Sequence, residues 1–177
     1  FDLAWVRPPL PTFAVPGGHD DNSFLRERTI LGARERWGRA LTEKQRHQLN
    51  RELTVIGRLG FAGFFLVMWD AVHYAQQNGI LCQGRGSAAN SAVCFCLGIT
   101  AVDPIKFNLL FERFLSDDRR EAPDIDIDFA HRDRELVLQY VYGRSGRETA
   151  AMGCGQVPSR GRPPVPALPH PAVFPAP

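Results

Sequence analysis

No stretch of this sequence supplies the roughly 18 consecutive apolar residues that a membrane-spanning helix needs. The longest apolar run, Phe61 to Trp69, stops at Asp70. The basic, apolar and small-residue series of a secretory signal is also missing, so a cytoplasmic chain is expected. Cysteine is sparse: four residues, at 82, 94, 96 and 154, with neither C-x-x-C spacing nor the density of a disulfide scaffold. Cys94 and Cys96, two apart, would not share a helix face, and all four are read as core thiols of a reducing compartment. An excess of one charge is lacking too. Lys plus Arg is 21 against 19 Asp plus Glu, a net charge of +2. That is no strong electrostatic footprint, so if nucleic acid is a partner most of the phosphate grip must come from elsewhere. There is no methionine at position 1, and the chain is expected to be a piece of something longer. Its 177 residues suffice for one domain with a buried core.

What is present divides into three parts. Residues 1–21 hold four prolines and a Gly-Gly pair, the composition of a connecting segment with no core of its own. From 153 to 177 there are eight prolines in 25 residues and no acidic residue, without helical or strand period. Two accounts remain for that tail: a disordered linker, or a GC-rich gene read out of frame. Between them, residues 22–152 carry folding signals. Phe24, Leu25, Leu31 and Trp37 predict an amphipathic helix closed by Gly38. Thr42 and Gln45 form a capping box for a second helix running to Gly57 or Gly60. "FAGFFLVMWDAVHYAQQNG" reads as a buried helix ended by Asn78-Gly79, with Phe61, Phe64, Phe65 and Trp69 in the core. A strand "ILCQ", a glycine loop and a helix starting near Ser87 follow. "IKFNLLFERFL" resumes helical spacing, "SDDRREAP" is a charged loop, "DIDIDF" a strand and "AHRDRELVLQYVYGRSG" a last amphipathic helix.

Two segments carry chemistry. In "DIDIDF" a strand would send Asp124, Asp126 and Asp128 to one face, neighbours about 6.5 Å apart, and Ile125 and Ile127 to the other. Three like charges in phase repel unless a cation sits among them. Hard oxygen donors suit Mg²⁺ or Mn²⁺, and a pair of such ions clamps an in-line phosphoryl displacement. A solvated strand edge is the plain alternative. In "QGRGSAANS", Gly84, Arg85, Gly86 and Ser87 could cradle a phosphate with backbone N–H groups, a guanidinium and a hydroxyl. No G-K-[ST] follows and the third Rossmann glycine fails at Asn90, so an ordinary capped turn competes with that reading. A phosphate cradle followed 37 residues later by an acidic strand is what nucleotidyl transfer requires. His73, Lys106 and His131 are read as rim or surface residues.

The string "GRGS…LLFERFL…PDIDIDF", with the stretch from Leu59 to Phe129 around it, resembles the palm of bacterial C-family DNA polymerases, the polymerase III alpha subunits. "GRGSAANS" and the short loop after "FERFL" resemble the error-prone branch. The resemblance covers about residues 1–152. It implies an α/β (α+β) fold: a truncated polymerase-beta-like nucleotidyltransferase palm, a mixed sheet with flanking helices. It implies a DNA-directed DNA polymerase that adds deoxynucleotides to a primer 3′ end during replication and repair synthesis. Side-chain chemistry alone leaves open which two aspartates bind metal; the resemblance assigns Asp124 and Asp126 as catalytic, Mg²⁺-binding residues. By the same token Gly84, Arg85, Gly86, Ser87 and Arg113 would meet the incoming triphosphate; on its chemistry alone, Arg113 reads as the partner of a surface acid. Primer-template DNA, a deoxynucleoside triphosphate, and replication or mutasome proteins are the implied partners. The third metal-binding aspartate of such polymerases is not reached, and the isolated chain is expected to be inactive. The alternative is a non-catalytic or decayed piece that at most binds nucleotide or metal.

Overall fold

The computed structural model describes residues 12–116 and 122–146. Residues 1–11, the charged loop at 117–121 and the proline-rich tail from 153 lie outside that range, as does Cys154.

The first three helices form where the signals predict. Helix α1 (Asp21–Trp37) starts on a capping box: Ser23 N–H donates to Asp20 Oδ1 at 2.7 Å, and Asp20 N–H to Ser23 Oγ at 3.0 Å. Gly38 ends it at φ 90°. Helix α2 (Glu43–Arg58) repeats the device with Thr42 and Gln45. Helix α3 (Ala62–Gln77) stops at Asn78, with Gly79 at φ 68°. Phe61 and Phe65 are buried, and Phe64 and Trp69 pack on the same core from its margin. Leu31 departs from expectation at 40% exposed. The face of α1 turned inward carries Thr29, Gly32 and Ala33 instead, because α4 lies too close there for a larger side chain: a Cβ on Gly32 would stand 1.8 Å from the Cys96 carbonyl oxygen.

After Gly79 the chain changes character. Strand β1 (Cys82–Arg85) leads into a 3₁₀ turn, Gly86–Asn90, and then α4 (Ala92–Cys96), capped by Ser91. The helix near Ser87 is thus a 3₁₀ turn followed by five α-helical residues. Cys94 and Cys96 are buried free thiols, raised above the usual thiol range chiefly by burial. The helix expected over "IKFNLLFERFL" does not form. Asn108 sits at φ 50°, a conformation that interrupts an α-helix, and Phe107 and Leu110 are both 61% exposed. Only a 3₁₀ turn, Phe111–Arg113, remains. It keeps Phe111, Phe114 and Leu115 in the core.

Strand β2 (Asp126–Phe129) pairs antiparallel with β1. Where a mixed sheet is expected, the described residues hold a two-stranded ribbon among helices. Helix α5 (Arg134–Ser145) follows a short 3₁₀ turn and docks on α3 through a small second cluster of Ala75, Ile80 and Val137. The Tyr74 and Tyr140 rings stack at 3.9 Å, and Asp70 accepts from Tyr140 Oη at 2.8 Å and Arg144 Nε at 3.2 Å. The proline-rich connection is anchored at its described end, where Phe13 stacks on Phe24 at 6.0 Å and meets Trp69 edge-on. No single helix among the described residues is long and apolar enough to cross a membrane.

Candidate nucleotide-binding site

The ribbon brings the two chemical segments together. Cys82 lies opposite Phe129, Gln83 opposite Asp128, Gly84 opposite Ile127, and Arg85 opposite Asp126. Side chains directly opposite share a face, so Gln83, Arg85, Asp126 and Asp128 project outward together. Gly84 and Ile127 face the core. Exposure along the acidic segment alternates accordingly: Asp124, Asp126 and Asp128 are exposed, Ile125 and Ile127 half-buried and packed on the main cluster.

Each glycine of the turn has a separate reason. At Gly84 an added Cβ would lie 2.4 Å from the Ile99 carbonyl oxygen, and the Gly84 N–H already donates to that oxygen at 2.7 Å. Its amide is occupied, and its smallness lets β1 lie against the segment after α4. Gly86 has φ 68°, a conformation that favours glycine, and its Cβ position is 3.5 Å from Asp126 Oδ2. Ser87 Oγ donates to the Asp124 carbonyl oxygen at 3.4 Å. The serine-bearing turn therefore touches the acidic segment at both Asp124 and Asp126.

The charges are unevenly matched. Arg85 Nε meets Asp128 Oδ2 at 3.2 Å, with both side chains about two-thirds exposed (65% and 67%). Among the described residues, neither Asp124 nor Asp126 has a basic partner, and no group of three ligating side chains gathers around a metal position. Asp124, just before β2, and Asp126, on it, are both exposed carboxylates, hard oxygens of the kind that suit a divalent cation but supply only part of a coordination shell. Arg113 is exposed on its 3₁₀ turn, which packs against the Gly86–Asn90 turn. Its neighbour Glu112 is ion-paired with Arg51 of α2.

The sequence pattern described as "Bacterial DNA polymerase III alpha NTPase domain" matches residues 23–157. The chain belongs to this polymerase family. The chain is also similar to several curated error-prone DNA polymerases. The error-prone DNA polymerase of Nocardia farcinica is 55% identical over 163 residues, covering 92% of this chain and 14% of that protein. That of Alkalilimnicola ehrlichii is 50% identical, over 92% of this chain and 16% of the relative. The Pseudomonas aeruginosa error-prone polymerase is 53% identical over 86% of this chain and 15% of its own length. The chain thus spans about one-seventh of these family members.

One residue of the neighbourhood went unassigned in the sequence. Glu52 of α2 is fully buried. Its carboxylate accepts from Ser91 Oγ at 2.8 Å, Ala92 N–H at 2.9 Å, Val93 N–H at 3.0 Å and Gln48 Nε2 at 2.8 Å. Burial pushes its pKa up while these hydrogen bonds oppose the rise. Glu52 anchors the start of α4, and so the end of the turn that carries Ser87. Its signal is its position: Leu49, Glu52, Leu53 and Ile56 follow helical spacing, with a carboxylate on the apolar stripe.

Proposed function

We propose that residues 22–152 form part of the palm of an error-prone, DNA-directed DNA polymerase, related in fold to polymerase-beta-like nucleotidyltransferases, that serves replication and repair synthesis in the cytoplasm. The observation that supports this reading is the β1–β2 pairing, which sets Gly86 against Asp126 and Ser87 against Asp124. Asp124 and Asp126 would hold Mg²⁺. When bound, the metal lowers the pKa of an attacking primer 3′-hydroxyl and neutralises the triphosphate.

The chain's own side chains do the rest. Gly86 leaves room for phosphate oxygens beside Asp126, and Ser87 offers a hydroxyl donor. Arg85 is held by one exposed ion pair worth at most about 1 kcal/mol, so it can exchange Asp128 for a phosphate. Arg113 adds a second guanidinium fork from the adjacent turn. Primer-template DNA and a deoxynucleoside triphosphate are the substrates in this reading, with replication or mutasome proteins as further partners.

A second reading, a non-catalytic piece that binds nucleotide and metal only, is favoured for the isolated chain. Two carboxylates without a third are an incomplete site among the described residues. Calorimetric titration with a deoxynucleoside triphosphate in Mg²⁺, together with primer extension, tests both. Expected are metal-dependent nucleotide binding that Asp126→Asn abolishes, and no templated incorporation. Equal nucleotide binding by wild type and Asp126→Asn overturns the site, and extension above background overturns the second reading.

A further inference from the structure

Helices α1 and α2 leave between them a groove of about 300 Å³, lined by Arg26, Arg34, Arg39 and Arg46 over Ile30 and Leu41. The lining contains no acidic residue. The sequence of α1 explains the asymmetry. Arg26, Ile30 and Arg34 recur every four residues and form one stripe. Its acids, Asp21, Glu27 and Glu35, lie off that stripe; Glu27 pairs with Arg28 and His19, and Glu35 lines a separate cleft beside α3 and α4.

The guanidiniums are exposed and poorly neutralised. Arg26 donates to the neutral Asn50 Oδ1 at 2.9 Å. Arg46 has one loose contact, 3.7 Å to Glu43, whose side chain is 91% exposed. Arg34 and Arg39 have no ion pair among the described residues. In a chain of net charge +2, this concentrates positive charge at one place while the acidic segment 124–128 concentrates negative charge at another. All four cations are arginines, whose planar forks match phosphate oxygens in pairs. The apolar floor can accept the sugar faces between them.

We infer that the α1–α2 groove binds the phosphate backbone of a nucleic-acid strand, outside the site at Asp124, Asp126 and Ser87. Helix α2 ties the two regions together. Asn50 borders the groove, and the next residue, Arg51, holds Glu112 beside Arg113. The inference deepens the polymerase reading by naming where a strand would lie, yet its test does not depend on the metal site.

The test uses the 177-residue chain and a fluorescein-labelled oligothymidylate, with anisotropy read in EDTA and without nucleotide over a series of salt concentrations. Wild type and Asp126→Asn should bind alike. The double variant Arg34→Gln/Arg39→Gln should bind roughly tenfold more weakly and lose about 1.4 from the slope of log affinity against log salt, as expected for two phosphates released from a single strand. Both substitutions are at exposed positions, and an unchanged circular dichroism spectrum shows that the fold is kept. Binding by the double variant equal to wild type overturns the inference. So does displacement of the oligonucleotide by polyglutamate of equal charge, which would mark the groove as a surface for acidic peptides.

Discussion

At the scale of single residues, the same side-chain type behaves in opposite ways according to its surroundings. Asp128 and Arg85 form an ion pair in water, and such pairs contribute little. Arg85→Ala should therefore leave the urea midpoint almost unchanged while weakening Mg²⁺-dependent nucleotide binding several-fold by calorimetry. Glu52 is the contrary case. Its carboxylate is sealed in the core with four donors around it, so Glu52→Ala should cost roughly 3 kcal/mol by leaving buried donors unmet. Its pH dependence follows from the raised pKa. The folded protein holds this proton more tightly than the unfolded chain, whose value is near 4.5. That contribution to stability is complete below pH 4.5 and fades as pH climbs through the folded value. Urea midpoints of wild type should thus fall relative to Glu52→Gln as pH rises from 4.5 toward neutrality, and parallel curves would contradict it.

At the scale of elements, the helices were readable where caps and spacing agreed, and unreadable where neighbours decided. The Thr42–Gln45 capping box is a hydrogen-bond arrangement between residues three apart, and the Gly38 and Gly79 stops rest on a positive φ that glycine adopts freely. The failed helix after Pro104 kept its apolar spacing, yet Phe107 and Leu110 found no surface to cover while Phe111 and Phe114 did. Glycines within helices carry the same lesson. Alanine is the better helix former by about 1 kcal/mol. Gly143→Ala in α5, where nothing lies within 4 Å of the new methyl, should stabilise the protein by roughly 0.5–1 kcal/mol. Gly32→Ala should do the reverse, by about 2 kcal/mol or more, since the methyl would overlap the Cys96 backbone. Thermal or urea melts of the two variants should move in opposite directions.

At the scale of the whole molecule, the described residues pack into two unequal cores. The main cluster joins α1, α2, α3, α4 and the turn at Phe111. The other, built on Ala75, Ile80 and Val137, carries α5. With so little buried apolar surface, α5 should open as a unit at lower free energy than the rest. Tyr140→Ala removes the ring stacked on Tyr74 and the hydroxyl on Asp70. Amide exchange in residues 134–145 should then accelerate markedly while α1 to α3 keep their protection. Uniform acceleration across all helices would show one cooperative core instead.

The sequence alone determined the family, the three leading helices, the stops at Gly38 and Asn78-Gly79, and the alternating exposure of Asp124, Asp126 and Asp128. These are properties of neighbouring residues, set by hydrogen bonds and side-chain direction over a few positions. Tertiary structure decided the rest: the antiparallel register that sets Gly86 against Asp126, the Ile99 carbonyl that occupies the Gly84 amide, and Glu52 beneath α4. It also decided the gathering of four arginines between α1 and α2. The first three depend on segments far apart in the chain coming into contact, and the last on how α1 packs against α2, neither of which a local pattern encodes.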